Sequence, residues 1–258
     1  MRQLTSLALL LGLLVCLPKP VSAQTPYVFT TEHVDIDIRY GGSPAAWEIG
    51  WHDEDNNIEY SATEALVFAL PASMVTRPAG SQWDFLGTPA GNNLWILPQS
   101  QNPNLVYLGV GAEEIQPGIF SSYLETDPRI NANGVWIRLD LKSVNGPGAF
   151  SAYTTDSFGN PVVWMASANG IDSTDSVFVL EGGHSHFNWA FTEPGFYSIG
   201  FEASGLTSTG CSFSGDFELV FAVNAVPEPA SLLLGSSVAI ATGVVYWRKR
   251  RLRQKTLA

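Results

Sequence analysis

The chain predicts an all-β fold: an antiparallel β-sandwich, immunoglobulin-like or jelly-roll-like, with one long loop excursion, set between an N-terminal signal helix and a C-terminal transmembrane helix. Three observations predict the body. Several short segments alternate apolar and polar residues with period two, the mark of a strand buried on one face. Turn chemistry separates them, at Gly41-Gly42, Asn56-Asn57, Asn133-Gly134, Asn145-Gly146-Pro147-Gly148 and Gly159-Asn160-Pro161. Helical periodicity is scarce. Many short strands with such punctuation suit two packed antiparallel layers.

Residues 1–23, MRQLTSLALLLGLLVCLPKPVSA, read as a secretory signal peptide, with Arg2 before an apolar run and small residues at Val21-Ser22-Ala23 before the cut. The body then runs over residues 24–225. HVDIDIRY sets Val34, Ile36 and Ile38 against His33, Asp35 and Asp37. DEDNNIEYSATE places Asp53, Asp55, Asn57 and Glu64 at calcium-loop spacing, but Ile58 stands where the sharp turn needs glycine. That stretch is expected as a polar hairpin tip, with His52 beside it an exposed loop histidine. SATEALVFALPASM reads equally as helix or strand, with Pro71 limiting it. Residues 84–120 read as the loop excursion, with Trp95 and Tyr107 packing irregular chain onto the sheets. VWIRLDLKS alternates Val135, Ile137, Leu139 and Leu141 against Trp136, Arg138 and Asp140, and SVFVL, FYSIGFEA and FELVFAV read as further strands.

Charge narrows the function classes. Of thirteen basic residues, only Arg39, Arg77, Arg129, Arg138 and Lys142 lie between Gln24 and Trp247, against all twenty-four acidic ones, a formal charge of −19 for that segment. Nucleic acid is therefore excluded as a partner, because phosphate binding needs the opposite sign. Cys16 leaves with the signal peptide, so Cys211 has no disulfide partner and is expected as a buried small hydrophobe. The common catalytic signatures are absent: no H-E-x-x-H, G-x-S-x-G, P-loop or C-x-x-C occurs.

Histidine is the scarce residue, with four in the chain. His184 and His186 flank a single serine in GGHSHFNWAF, and in an extended segment both project from one face. Two imidazoles on one strand face can reach one ion, and neutral imidazole suits zinc, copper, iron and nickel. His33, with Asp35 on its own strand face, is the candidate for the missing ligands. The competing reading has both histidines hydrogen-bonding loops beside the core aromatics Phe187, Trp189 and Phe191. Sequence leaves open whether residues some 150 positions apart meet.

The C-terminal residues 226–258 carry Pro227-Glu228-Pro229, then an uncharged apolar segment over 230–247, then a cluster of Arg and Lys. A helix of that length spans about 27 Å, near the thickness of a bilayer core, and the basic end is expected on the cytoplasmic side. The ordered trio resembles the PEP-CTERM sorting signal of bacterial surface proteins. That resemblance implies an exosortase-type sorting enzyme as partner, a transient stay in the inner membrane, and a final place at the cell surface or in the extracellular matrix.

Four pieces of the body also occur in a telling order: EHVDI, NNLWILPQSQNPNLVYLGVGAEEI, NGPGAFSAYTTDSFGNPVV and GGHSHFNWAFTEPGFYSIGFEASG. Together they resemble the choice-of-anchor M domain of surface-anchored proteins, over most of residues 27–205. The resemblance implies a surface role, a link to metal-type ABC transporters, and recurrent histidines that correspond to His33, His184 and His186. Where relatives carry a WPGW stretch, this chain has Tyr107-Leu108-Gly109-Val110.

These readings converge on an exported, surface-anchored, non-enzymatic β-sandwich protein. Its candidate ligands for a divalent transition metal, zinc first, are His33, His184, His186 and Asp35. The alternatives are a structural or adhesive matrix protein that contacts exopolysaccharide, and a metal-dependent hydrolase.

Overall fold

The computed structural model describes residues 25–41 and 46–225. The expected signal peptide, the Pro227-Glu228-Pro229 motif and the apolar segment 230–247 lie outside the described residues. Among the described residues, no helix is long and apolar enough to cross a membrane.

The body is all-β, in three main sheets. Sheet I holds β1 (Tyr27–Phe29), β5 (Ala65–Ala69), β11 (Trp136–Asn145), β14 (Ser176–Leu180), β17 (Gly195–Thr207), β18 (Gly210–Phe213) and β19 (Phe217–Val223), ordered β1-β5-β19-β17-β11-β14 with β18 beside β17. Sheet II holds β6 (Met74–Thr76), β7 (Asn93–Leu97), β12 (Phe150–Thr155), β13 (Pro161–Ala166) and β16 (Asn188–Phe191), ordered β13-β12-β16-β7-β6. Sheet III holds β2 (His33–Gly41), β3 (Ala46–Asp53), β4 (Ile58–Ser61), β8 (Tyr107–Gly111) and β15 (His184–His186), ordered β15-β8-β2-β3-β4. A small ribbon pairs β9 (Tyr123–Glu125) with β10 (Ala132–Gly134).

The expected period-two strands form where the alternation is clean. In β11, Ile137, Leu139 and Leu141 are buried while the residues between them reach solvent. Three departures from expectation have identifiable causes. The pairing is mixed rather than wholly antiparallel, since β5 runs parallel to both β1 and β19, and β2 runs parallel to β8. Strand β5 is apolar on both faces, as a strand covered on both sides requires, and Pro71 then opens a single 3-10 turn at Pro71–Ser73. Residues 84–120 are also not one loop excursion. They supply β7 and β8, both interior strands of their sheets, and Leu94, Leu97, Leu108 and Val110 are fully buried. The abundance of Pro, Asn and Gly around those short apolar runs hides the strands. Lastly, Cys211 is exposed rather than buried, because β18 pairs only with β17 at the margin of sheet I.

One apolar core joins the three sheets. Phe221 of sheet I packs edge-on to Trp51 of sheet III at 5.6 Å and against Trp189 of sheet II at 6.5 Å. The Trp189 indole N–H also donates to the Leu108 carbonyl of sheet III at 3.1 Å, which satisfies the one polar group that a buried indole carries. Near the start of β17, the buried Tyr197 hydroxyl donates to the Glu193 carbonyl at 2.8 Å. It thereby pins the turn that leads into the longest strand.

The GGHSHFNWAF segment crosses between sheets. His184–His186 pair with β8 in sheet III, and after Phe187 the chain joins sheet II as β16. Asn188 fixes that step. Its Oδ1 accepts the Gln99 main-chain N–H at 3.0 Å, and its Nδ2 donates to Gln99 Oε1 at 2.8 Å.

Candidate metal centre

Register brings the histidines together. Strand β8 lies between β2 and β15, so His33, Asp35 and Asp37 stand opposite Tyr107, Gly109 and Gly111, while His186 and His184 stand opposite Gly109 and Gly111 from the other side. The two glycines leave a gap in the middle strand, and side chains from the two flanking strands meet across it. A Cβ at Gly109 would overlap Asp35 Oδ1 and lie 2.9 Å from His186 Cε1. At Gly111 a Cβ would lie 3.2 Å from Asp35 Oδ2.

Across that gap, His33 Nε2 and His186 Nε2 are 3.2 Å apart. Asp35 Oδ1 lies 3.9 Å from His33 Nε2, and Asp35 Oδ2 lies 3.8 Å from His184 Nδ1. One nitrogen from each of His33, His184 and His186 falls within 4.8 Å of the others. A tetrahedral ion with bonds of about 2.0–2.1 Å holds its ligand atoms roughly 3.3 Å apart, so small side-chain movements suffice. A second group, Asp35, Glu113 and His184, shares two members with the first. The structure therefore places all four sequence-derived residues, His33, Asp35, His184 and His186, in one cluster, and adds Glu113.

Burial is uneven across the cluster. The Asp35 side chain is 1% exposed, whereas His184 and Glu113 are 36% and 37% exposed. The inner side is thus closed and the outer side meets solvent. Tyr107 stacks face to face on His186, with ring centroids 3.6 Å apart and planes 9° apart, which fixes the imidazole plane.

The buried carboxylate is the electrostatic anomaly. Among the described residues neither Asp35 oxygen has a hydrogen-bond partner, although a buried charge needs pairing and hydrogen bonds to be tolerated. Burial pushes its carboxyl up to about 7, against the opposing pull of His184. Burial also pushes His186 down to about 4, aided by the charge of His33, and lowers His33. For His184 burial acts downward too, but the Glu113 hydrogen bond at 2.9 Å and the Asp35 and Glu113 charges outweigh it and leave it raised. Neutral imidazoles at His33 and His186 are the state that ligation requires.

The nearby residues Asp37, His52, Asp53 and Asp55 have other partners. Asp37 is buried and lies 2.9 Å from Nε of Arg39, whose Nη1 contacts Glu59. His52 is buried on β3 rather than exposed in a loop, with Nδ1 2.8 Å from Glu54 and Nε2 3.3 Å from Asn57. The calcium-like stretch forms the expected β3–β4 hairpin. There Asp53 accepts the Asn56 N–H at 3.1 Å and Asp55 accepts the His33 N–H at 2.9 Å.

Sequence reasoning missed Glu113 and the positioning role of Tyr107. A signal for the site did exist in YLGVGAEE, where glycine occupies alternate positions of a strand. A strand interior weakened in that way marks close approach of something else.

No family model matches the chain, and no curated protein matches it. Among solved structures, the chain is similar to the ASH / PapD-like domain of human CEP192 (PapD-like domain 7) at 8% identity and a TM-score of 0.18, over 38% of this chain and 68% of that one. A likeness that slight carries no argument about function.

Proposed function

We propose that this chain is an exported, surface-anchored, non-enzymatic protein whose β-sandwich body binds one divalent transition metal, zinc first. The ligands are His33, His184, His186 and Asp35, with Glu113 at the solvent side. One observation carries the reading: a buried carboxylate with no donor on either oxygen stands within 4 Å of two imidazoles, in a gap left by two glycines. A cation there supplies the charge and the coordination that Asp35 lacks. Three nitrogens and one oxygen suit zinc over calcium or magnesium, which take oxygen shells.

Surface delivery rests on the N-terminal signal and the PEP-CTERM-like tail, and implies processing by an exosortase-type enzyme. The Tyr197 corner supports the immunoglobulin-like form of the sandwich, where such a tyrosine bonds back to the main chain just before its strand. Metal binding is tested by isothermal titration of the metal-free, full-length chain in detergent with zinc. One ion per chain is expected, with the binding heat lost in His184→Ala/His186→Ala. Absence of stoichiometric binding, or binding unchanged in that variant, refutes the metal reading. Retention of residues 226–258 in protein recovered from the cell surface refutes the sorting reading.

A further inference from the structure

Strand β15 has a second side. Its histidine side chains meet in the metal cluster, while period two turns Ser185 the other way, and all three residues line a cleft of about 460 Å³. The cleft opens where the margins of all three sheets meet, at β13, β14 and β15. Trp136 and Trp164 reach it from two sides, Phe178 and Phe187 form apolar wall, and Thr154 and Ser185 add hydroxyls. We infer that this cleft binds a neutral oligosaccharide.

Three features select that class of ligand. The first is charge: no Asp, Glu, Lys or Arg lines the cleft, and the two titratable residues in its wall, His184 and His186, also belong to the metal cluster, on a body that is strongly acidic elsewhere. An anionic glycan is repelled by the surrounding surface, and a cationic ligand finds no carboxylate within. The second is the fixed indoles. The Trp164 N–H donates to Thr154 Oγ1 at 3.0 Å, and the Trp136 N–H donates to the Ala132 carbonyl at 3.1 Å. The Arg129 guanidinium, which does not line the cleft, sits 4.8 Å from the centre of the Trp164 ring and backs it. Rings held in this way present aromatic surface without an ordering cost on binding. Pyranose rings offer C–H faces to such surface and hydroxyls at their rims.

The third feature is unpaired main chain. The Ala112 N–H donates to the Gly183 carbonyl at 2.9 Å, and the β15–β8 register continues from there through Ser185 opposite Val110. Alternate residues in an antiparallel ladder share both bonds. The main-chain groups of His184 and His186 therefore point away from β8, and among the described residues no other strand pairs with them, which leaves them to meet sugar hydroxyls. Two such residues form too short an edge for a peptide strand, which runs about five residues, so a glycan fits better than strand addition. The cleft volume falls within the usual range for small-ligand sites, about 300–1,000 Å³.

The experiment uses the full-length chain in a sugar-free detergent on an array of neutral and acidic oligosaccharides, followed by titration calorimetry on the best neutral hit. Binding of neutral hexasaccharides but not of polygalacturonate is expected, and Trp164→Ala and Trp136→Ala should each weaken it at least tenfold. Zinc titration serves as the fold control, since neither tryptophan belongs to the metal cluster. If zinc does not bind the parent, near-ultraviolet circular dichroism replaces it, so failure of the metal reading leaves this test intact. The inference is overturned if no neutral glycan binds. It is also overturned if both folded variants bind as the parent does, or if a hexapeptide of alternating threonine and valine binds in place of the sugars.

Discussion

Asp35 is a residue whose presence costs the metal-free protein stability. Its carboxylate is buried, lacks hydrogen bonds and is pushed up to about 7. A raised folded value means that its contribution is whole below the unfolded carboxyl range and is lost as pH climbs through about 7. His184, also raised, acts in the same direction. His186 and His33, both lowered, act oppositely and destabilise as pH falls below the ordinary histidine value of about 6.5. From the ordinary carboxyl range up to about 7 the parent therefore weakens through Asp35, and at pH 8.5 it carries that loss in full. In chelator at pH 8.5, Asp35→Asn is expected to stabilise the protein by on the order of 2 kcal/mol, the scale of one unsatisfied buried polar group. That corresponds to a rise in Tm of roughly 4–8 °C for a domain of this size, and the gain should shrink toward pH 5. The same variant should bind zinc at least tenfold more weakly. A lower Tm for Asp35→Asn at pH 8.5 would show that the carboxylate is already well partnered in the metal-free fold. Stability sacrificed at one residue in this way is a common mark of a functional site.

Strand β8 works through what it omits. Gly109 needs no unusual backbone conformation, so its value lies in the missing Cβ, whose place is filled by Asp35 and His186. Gly109→Ala is expected to destabilise the fold by about 1–3 kcal/mol, the usual cost of overpacking, and to abolish zinc binding while every ligand is retained. Gly111→Ala, with a Cβ at 3.2 Å from Asp35 Oδ2, should cost less on both measures. Thermal melts and zinc titration of the two variants check the ranking, and equal effects would refute the idea of a graded cradle. The same strand shows where sequence stops. The alternation in HVDIDIRY revealed β2 and its apolar face, because one-sided burial writes itself in period two. It also put Asp35 on the His33 face as a candidate ligand, and that face is buried at Asp35 because β8 brings glycines rather than side chains alongside. His184 and His186 were legible as a pair on one strand. Their meeting with His33 depends on the order β15-β8-β2, and that order is a property of long-range pairing which local pattern does not encode. Glu113 was illegible for a simpler reason: it follows the end of a strand that reads as loop.

At the scale of the whole molecule, the metal cluster joins distant parts of the chain. His33 enters at the start of the body, and His184 and His186 arrive 151 and 153 residues later. Strand β15 is only three residues long and pairs on one side, so its ladder alone holds it weakly. It nevertheless forms the wall between the metal gap and the aromatic cleft, and it leads directly into the buried β16. An ion bound by β2 and β15 together would tie sheet III to the segment that crosses into sheet II, and would add to stability by mass action. At a free zinc concentration of a hundred times Kd, that addition is about 2.7 kcal/mol, worth roughly 5–10 °C in Tm for a domain of this size. The Tm should climb with the logarithm of zinc concentration, and the climb should vanish in His184→Ala/His186→Ala. Hydrogen exchange gives the spatial check. Zinc should slow exchange most at Val110 and Ser185, whose amides lie in the β8–β15 ladder, and least in the β6–β7 pair at the opposite edge of sheet II from β13. Uniform slowing throughout the body would mean that the ion stabilises the fold only globally, and the local tie between β2 and β15 would then be wrong.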